Sequence, residues 1–338
     1  MKAVAYKTSD PMNQGSTLQD ITIETPQVLD QDLLVKIFAV SVNPVDTKLR
    51  IRGVPEGNNT NVLGYDAAGV VEAVGADVKN FKPGDQVYYA GSIMRPGTNS
   101  EYHLVDERIV GNKPTSLSYA EAAALPLTTI TAWEMLFDRL KVKEPTPQGG
   151  DLILVIGGGG GVGSITIQLL KALTNLKIIA TASRPETKKW VKKCGAHYVI
   201  DHNQPLAPQV ESLQLGAPGF VFSTTQTDHH FDDIVTLISP QGRFGLIDDP
   251  KMLNALPLKF KAISLHWELM FTRAIFNTPD IAEQGKLLNE VAALVDSSSI
   301  CSTLTEVAGK INAATLQKVH DKIVSGSTQG KIVLEGFN

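Results

Sequence analysis

Apolar and polar positions follow different rhythms in successive parts of the chain. In the first third, short β-prone runs alternate with turns: "MKAVAY", "DLLVKIFAV", "AAGVVEAVG", "DQVYYAG" and "SEYHLV". In "FKPGDQV", Pro83 and Gly84 occupy the middle of a turn, where proline presets one dihedral and glycine admits a positive one. Short strands in this traffic predict a partly open barrel. The pattern turns helical at "SLSYAEAAALPLTTITAWEMLFD". Ser118 and Glu121 form a capping box, an Ala-rich stretch runs to Pro126, and a second helical stretch reaches about Arg139. "KVKEPTPQGG" is the best linker candidate, with its prolines, glycines and charge.

Beyond it, strands alternate with helices. "DLILVI" is a continuous apolar run, as expected of a strand buried on both faces. Val162, Ile165, Leu169, Ala172 and Leu173 then recur at helical spacing. "LKIIATA", "HYVI", "GFVFS", "GRFGLI" and "AISLHW" supply further strands, and "PETKKWVKKCG" a short helix opened by Pro185 and closed by Gly195. Six strands with intervening helices predict an α/β unit with a doubly wound parallel sheet. From about Asn277 the chain adds a long helix, a final helix around residues 314–325 and the closing strand "GKIVLEG".

Between "DLILVI" and its helix stands "VIGGGGGVGS". Read alone it would suit a flexible linker, but a buried strand before it and an amphipathic helix after it favour a dinucleotide cradle. Helix N-termini carry unpaired N–H groups and partial positive charge, and glycine lets the backbone approach a pyrophosphate closely. Gly157, Gly160, Gly161, Val162 and Gly163 are the candidate contacts. An NAD site carries an acid about 20 residues further on. Here that count reaches Ser183 and Arg184, with Lys188 and Lys189 close by and Glu186 beyond Pro185. Hydroxyl and guanidinium donors suit the extra 2'-phosphate, so NADPH is expected; the alternative for Arg184 is a solvated surface arginine. His202, just after the third strand of this part, is a further candidate neighbour of that phosphate.

Composition narrows the partners. At 338 residues the chain is too long for one small core, and a net charge of −4 gives no reason to expect a nucleic acid or an anionic membrane. The N-terminal "MKAVAYKTSD" lacks the apolar core of a signal peptide, and no stretch reaches membrane-spanning length. Two cysteines, Cys194 and Cys301, provide neither a disulfide framework nor a cysteine metal cluster. The expectation is a cytoplasmic protein.

The segments "SVNPVDTKLR", "LGYDAAGVVEAVG", "FKPGDQV", "AAALPLTTITAWEML", "GGGGGVGS" and "GKIVLEG" resemble the medium-chain dehydrogenase/reductase superfamily, in family order and over nearly the whole chain. Within it the chain is similar to the quinone oxidoreductase branch, and "LIDDP" and "SLHWELMFTR" resemble the subgroup called zinc-type alcohol dehydrogenase-like. The resemblance implies a GroES-like β-barrel domain from residues 1–127 and 272–338, a Rossmann domain inserted over 128–271, and an active site in the cleft between them. It also implies a homodimer through the Rossmann sheet edge, and places Lys331 of "GKIVLEG" at the cofactor.

Zinc relatives carry a cysteine where this chain has Asn43, a histidine at Tyr65 and a second cysteine near Leu127, so the resemblance implies no metal site. "GSIMRPGTNSEYH", where a structural zinc lobe would stand, has no cysteine. The adjacent pair His229 and His230 reads as a solvated helix start. Without a Lewis acid, hydride transfer relies on positioning and hydrogen-bond donors. The resemblance suggests Asn43, Tyr65 and Thr131 for this, against plainer roles in turn capping, aromatic packing and helix capping. Asp46 and Asp66 read as structural acids paired with backbone or Lys/Arg, and Val45 replaces the usual relay hydroxyl. Trp267, Met270 and Phe271 are candidates for an apolar substrate pocket or for core. The expected function is NADPH-dependent, zinc-independent reduction of a quinone or an α,β-unsaturated carbonyl. Alternatives are an alcohol or carbonyl dehydrogenase and a non-catalytic NADPH-binding protein.

Overall fold

The computed structural model describes residues 1–6, 18–52 and 61–337. It divides into two compact units, Met1–Ile130 with Phe271–Asn338, and Thr131–Met270. The first unit is therefore built from both ends of the chain.

In that first unit, Asp32–Ser41 is the organising strand. It pairs antiparallel with Lys331–Glu335, Asp66–Val74 and Tyr102–Asp106, with irregularities near Leu34 and Ile37. A ten-residue strand can serve three partners because the bulges turn it from one to the next. The seven-stranded sheet continues through Gln86–Ala90 and Val110–Asn112 and ends on the other side at Leu304–Val307. A separate three-stranded sheet joins Gln19–Thr22, Lys2–Tyr6 and Asn61–Val62. This is the GroES-like domain. The helix Glu283–Asp296 is tied to its core where Tyr88, fully buried, donates its hydroxyl to Leu288 O at 2.6 Å. The expected capping box is present: Ser118 Oγ accepts from Glu121 N, and the Glu121 carboxylate accepts from Ser118 N at 2.9 Å. Pro126 does not merely interrupt the Ala-rich helix; it opens the next, Pro126–Trp133, where its missing N–H costs no bond.

The second unit carries the doubly wound sheet. Its strands run, side by side, Tyr198–Ile200, Lys177–Thr181, Leu152–Ile156, Phe220–Ser223, Arg243–Leu246 and Ser264–Trp267, all parallel. Leu152 to Ile156 are all fully buried, because helices cover both faces. This strand separates the two halves of the winding order, so the chain reverses direction of growth at its C-terminal end, the place where open α/β sheets bind ligands. The helix Pro185–Cys194 has Pro185 at its start and Gly195 at its C-cap, as expected.

Two expectations need correction. "KVKEPTPQGG" does not join the units but lies inside the second one, where Arg243 Nη1 donates to Leu140 O at 2.8 Å and Lys141 O at 2.9 Å. Its polar composition reflects a surface loop pinned by an arginine. Ala172, counted with the apolar stripe of the helix Gly161–Leu173, is exposed; residues 163–170 are buried all round instead.

Candidate functional site

The glycine run leaves the strand Leu152–Ile156 and enters the helix Gly161–Leu173 with Gly160 as N-cap. Gly157 has φ +81°, and a Cβ there would lie 2.3 Å from Thr224 Oγ1. A Cβ on Gly163 would lie 2.3 Å from Gly157 O, so the helix can start this close to the strand end only without a side chain. Gly157 N donates to Thr181 Oγ1 at 2.9 Å and Gly158 N to Thr181 O at 3.2 Å, which fastens the loop to the neighbouring strand. Gly160, Gly161 and Val162 are half-buried rather than covered, at a helix start whose first N–H groups have no intrahelical partner. The cradle fits a pyrophosphate.

Ser183 and Arg184 follow the strand Lys177–Thr181, and both are half-buried. Arg184 Nε reaches Glu186 Oε1 at 3.3 Å, and Lys188 Nζ reaches Asp201 Oδ2 at 3.2 Å. His202 lies in the field of these cations: burial lowers its pKa, Asp201 raises it, and Arg184 and Lys188 lower it further. Its Nδ1 is buried without a hydrogen-bond partner. Burial lowers the His230 pKa, and His229 and then His202 lower it further. The solvated reading of the histidine pair holds for His229 only, because His230 is 3% exposed. Its place on the inner face of the helix Thr227–Leu237 decides that.

In the first unit, Asn43, Asp46, Asp66 and Lys331 form a buried network. Asp66 Oδ2 accepts from Asn43 Nδ2 at 2.7 Å and from Lys331 Nζ at 3.1 Å, while Oδ1 accepts from Leu127 N at 2.7 Å. Lys331 Nζ also donates to Val42 O at 3.0 Å and to Asn43 Oδ1. The resemblance places Lys331 at the cofactor; in the structure its ammonium is engaged on these three oxygens. Asp46 Oδ2 accepts from Asn43 N at 2.7 Å, but Oδ1 is buried without a partner. Burial pushes the Asp46 carboxyl up to about 7, against the pull of the Asn43 amide and Lys331. Both acids are thus held as structural acids, by the backbone and by lysine.

Tyr65 is buried, edge-on to Phe271 with ring centroids 5.4 Å apart. Burial, then Asp46 and Tyr6, raise its phenol pKa, so the hydroxyl remains a protonated donor. Phe271 and Met270 are buried, whereas Trp267 at the end of its strand is half exposed. Thr131 is buried at the start of the second unit, in the helix Pro126–Trp133.

Zinc does not fit this donor set. Asn43, Tyr65 and the Leu127 position offer no thiolate or imidazole, and the acid between them already holds an ammonium. No cluster of three or more His, Cys, Asp or Glu suited to a metal occurs among the described residues. Sequence reasoning missed the partnership of Lys331 with Asn43, which lies 288 positions away. It also missed a pair of buried acids, Glu134 and Glu268, whose only signal was charge inside otherwise apolar runs.

Comparison with known proteins identifies the family. Residues 29–132 match the alcohol dehydrogenase GroES-like domain, and residues 161–286 the zinc-binding dehydrogenase family. A zinc-type alcohol dehydrogenase-like protein of Staphylococcus epidermidis is 36% identical over 338 residues, covering 99% of each chain. A crystal structure from Rhizobium etli, described as a zinc-dependent alcohol dehydrogenase protein, superposes with a TM-score of 0.97 at 56% identity, covering 100% of this chain and 98% of that one. A 2-methylene-furan-3-one reductase of Solanum lycopersicum is 38% identical over 190 residues, 54% of this chain and 47% of that protein.

Proposed function

Since the chain belongs to the medium-chain dehydrogenase/reductase superfamily, we propose that it lies in the quinone oxidoreductase-like branch and is an NADPH-dependent, zinc-independent reductase of quinones or α,β-unsaturated carbonyls. The observation that carries this reading is the Lys331 ammonium held by Asn43, which stands where zinc relatives carry a cysteine ligand, and by Asp66 next to Tyr65. A quinone or enone spreads the charge that develops on its oxygen, so hydrogen-bond donors suffice where an unactivated ketone needs a Lewis acid. The Solanum lycopersicum relative is named for reducing a conjugated carbonyl, which supports the same substrate class.

A bound nicotinamide cofactor supplies the hydride. The residues of the chain do the rest. The glycine cradle binds the pyrophosphate, and Ser183, Arg184 and His202 select the 2'-phosphate. The Asn43 amide is committed to Asp66 and, at 3.4 Å, to Ser41 O, so it shapes the site. The protonated phenol of Tyr65 is the donor to the substrate oxygen. Thr131 orients the nicotinamide, and Trp267 and Met270 contribute apolar wall.

The proposal includes a homodimer through the Rossmann sheet edge. Ser264–Trp267 is the last strand of its sheet, and Phe260 beside it is 95% exposed. An edge strand with apolar neighbours favours pairing with a copy. The setting proposed is cytoplasmic.

The test is cofactor titration of purified protein, wild type and Arg184→Ala, followed by a screen of NADPH oxidation. NADPH is expected to bind at least ~10-fold more tightly than NADH, about 1.4 kcal/mol. The variant should weaken NADPH and leave NADH nearly unchanged. Quinones or enones should be turned over without added metal. Stoichiometric zinc, with efficient alcohol oxidation lost on its removal, would establish the alcohol dehydrogenase reading instead.

A further inference from the structure

Two helices of the second unit meet at the glycine cradle. The helix Pro185–Cys194 carries Thr187, Trp190 and Val191, spaced i, i+3 and i+4, on one face. Thr187 and Val191 lean on glycine: a Cβ on Gly159 would lie 3.3 Å from Thr187 Cβ, and one on Gly158 3.2 Å from Val191 Cγ1. Such apolar contacts have no preferred direction, so they let a helix slide. Trp190 supplies a directional tie. Its indole Nε1 donates to Ser164 Oγ at 2.7 Å, and Ser164 Oγ donates to Gly160 O at 2.6 Å. Ser164 is fully buried in the helix Gly161–Leu173, and Gly160 is the N-cap of that helix. The chain of bonds thus ends on the cradle itself. Arg184, in turn, is the N-cap of the helix Pro185–Cys194, and its carbonyl accepts from Thr187 Oγ1 and Lys188 N, both at 2.9 Å. The Arg184 backbone therefore moves with the helix that Trp190 fastens.

We propose that Trp190 is a positioning residue that sets the distance between the pyrophosphate cradle and the 2'-phosphate subsite, and with it the preference for NADPH over NADH. Ser183 and Arg184 form that subsite in the reading above, on which this inference rests. A ligand with two anionic groups binds tightly only when both subsites are held at its own spacing. NADH uses the cradle alone and is indifferent to that spacing. Without the indole bond, the start of the helix Pro185–Cys194 drifts relative to Gly160. The guanidinium then loses register with a phosphate whose place the cradle has already set.

Calorimetric titration with NADPH and with NADH tests this in wild type, Trp190→Phe and Ser164→Ala. Phenylalanine keeps an aromatic ring on the helix face and removes the N–H; alanine removes the acceptor on the other helix. In either variant NADPH should bind about 5–10-fold more weakly, and NADH within about 2-fold of wild type. In an Arg184→Ala background, Trp190→Phe should cost NADPH no further affinity, because the contact it positions is already gone. Equal losses for both cofactors would show a merely structural bond and overturn the proposal, as would an unchanged ratio of the two affinities. A Trp190→Phe loss that multiplies with that of Arg184→Ala would do the same. A wild type that binds NADH as tightly as NADPH would refute the 2'-phosphate reading itself, and the proposal with it. That result is read before any variant is made, so the two failures are told apart.

Discussion

Replacing Lys331 with methionine keeps most of the side-chain stem and removes the ammonium. Asp66, fully buried, would retain Asn43 Nδ2 and Leu127 N but lose its only cationic partner in the network. Breaking a buried ion pair from one side costs about 3–5 kcal/mol, because the surviving charge remains desolvated. At about 2–4 °C per kcal/mol for a unit of this size, Lys331→Met should lower Tm by roughly 6–20 °C. The double variant Lys331→Met with Asp66→Asn removes both charges and leaves an amide that still accepts from Leu127 N. It should recover much of the loss, giving a coupling of about 2 kcal/mol or more. Urea denaturation of the four proteins measures each corner of the cycle. A Lys331→Met protein within about 1 kcal/mol of wild type, or strictly additive substitutions, would refute the idea that this ammonium neutralises the acid at the heart of the site.

Two further outcomes follow from the same geometry. Gly163→Ala places a Cβ 2.3 Å from Gly157 O, so the helix must retreat from the strand; cofactor affinity should fall at least ~10-fold by titration, with urea stability falling by about 1–3 kcal/mol. His320 is fully buried with neither ring nitrogen partnered, and burial followed by Arg50 lowers its pKa to about 3. Its unfolded form gains a proton below about pH 6.5 while the folded form does not, so its contribution is complete above that pH and is lost on acidification. Between pH 6.5 and 5 wild type should lose about 2 kcal/mol that His320→Leu does not, read by urea denaturation at each pH.

The elements recognisable from sequence share one property: their causes are local. The Leu152–Ile156 strand shows as an unbroken apolar run because helices cover both its faces. The capping box at Ser118 and Glu121 closes within three residues. The glycine run makes sense between its two neighbours because the strand end and helix start must nearly touch. Resemblance added the expectation that both chain ends form one unit, which periodicity alone does not contain.

What the tertiary structure decided concerns contacts between distant segments. Lys331 and Asn43 meet because the closing strand Lys331–Glu335 pairs with Asp32–Ser41, a register that no local pattern specifies. His230 is buried and His229 exposed because the helix Thr227–Leu237 turns one inward, although both are the same residue type side by side. Glu134 and Glu268 read in the sequence as ordinary charges, and only folding buries both. Hydrophobic period and capping chemistry act over a few residues, so the sequence alone determined the elements and the cofactor cradle. Charge compensation in a low-dielectric interior depends on which groups folding brings within a few ångströms, and for the Lys331 ammonium only the tertiary structure settled that.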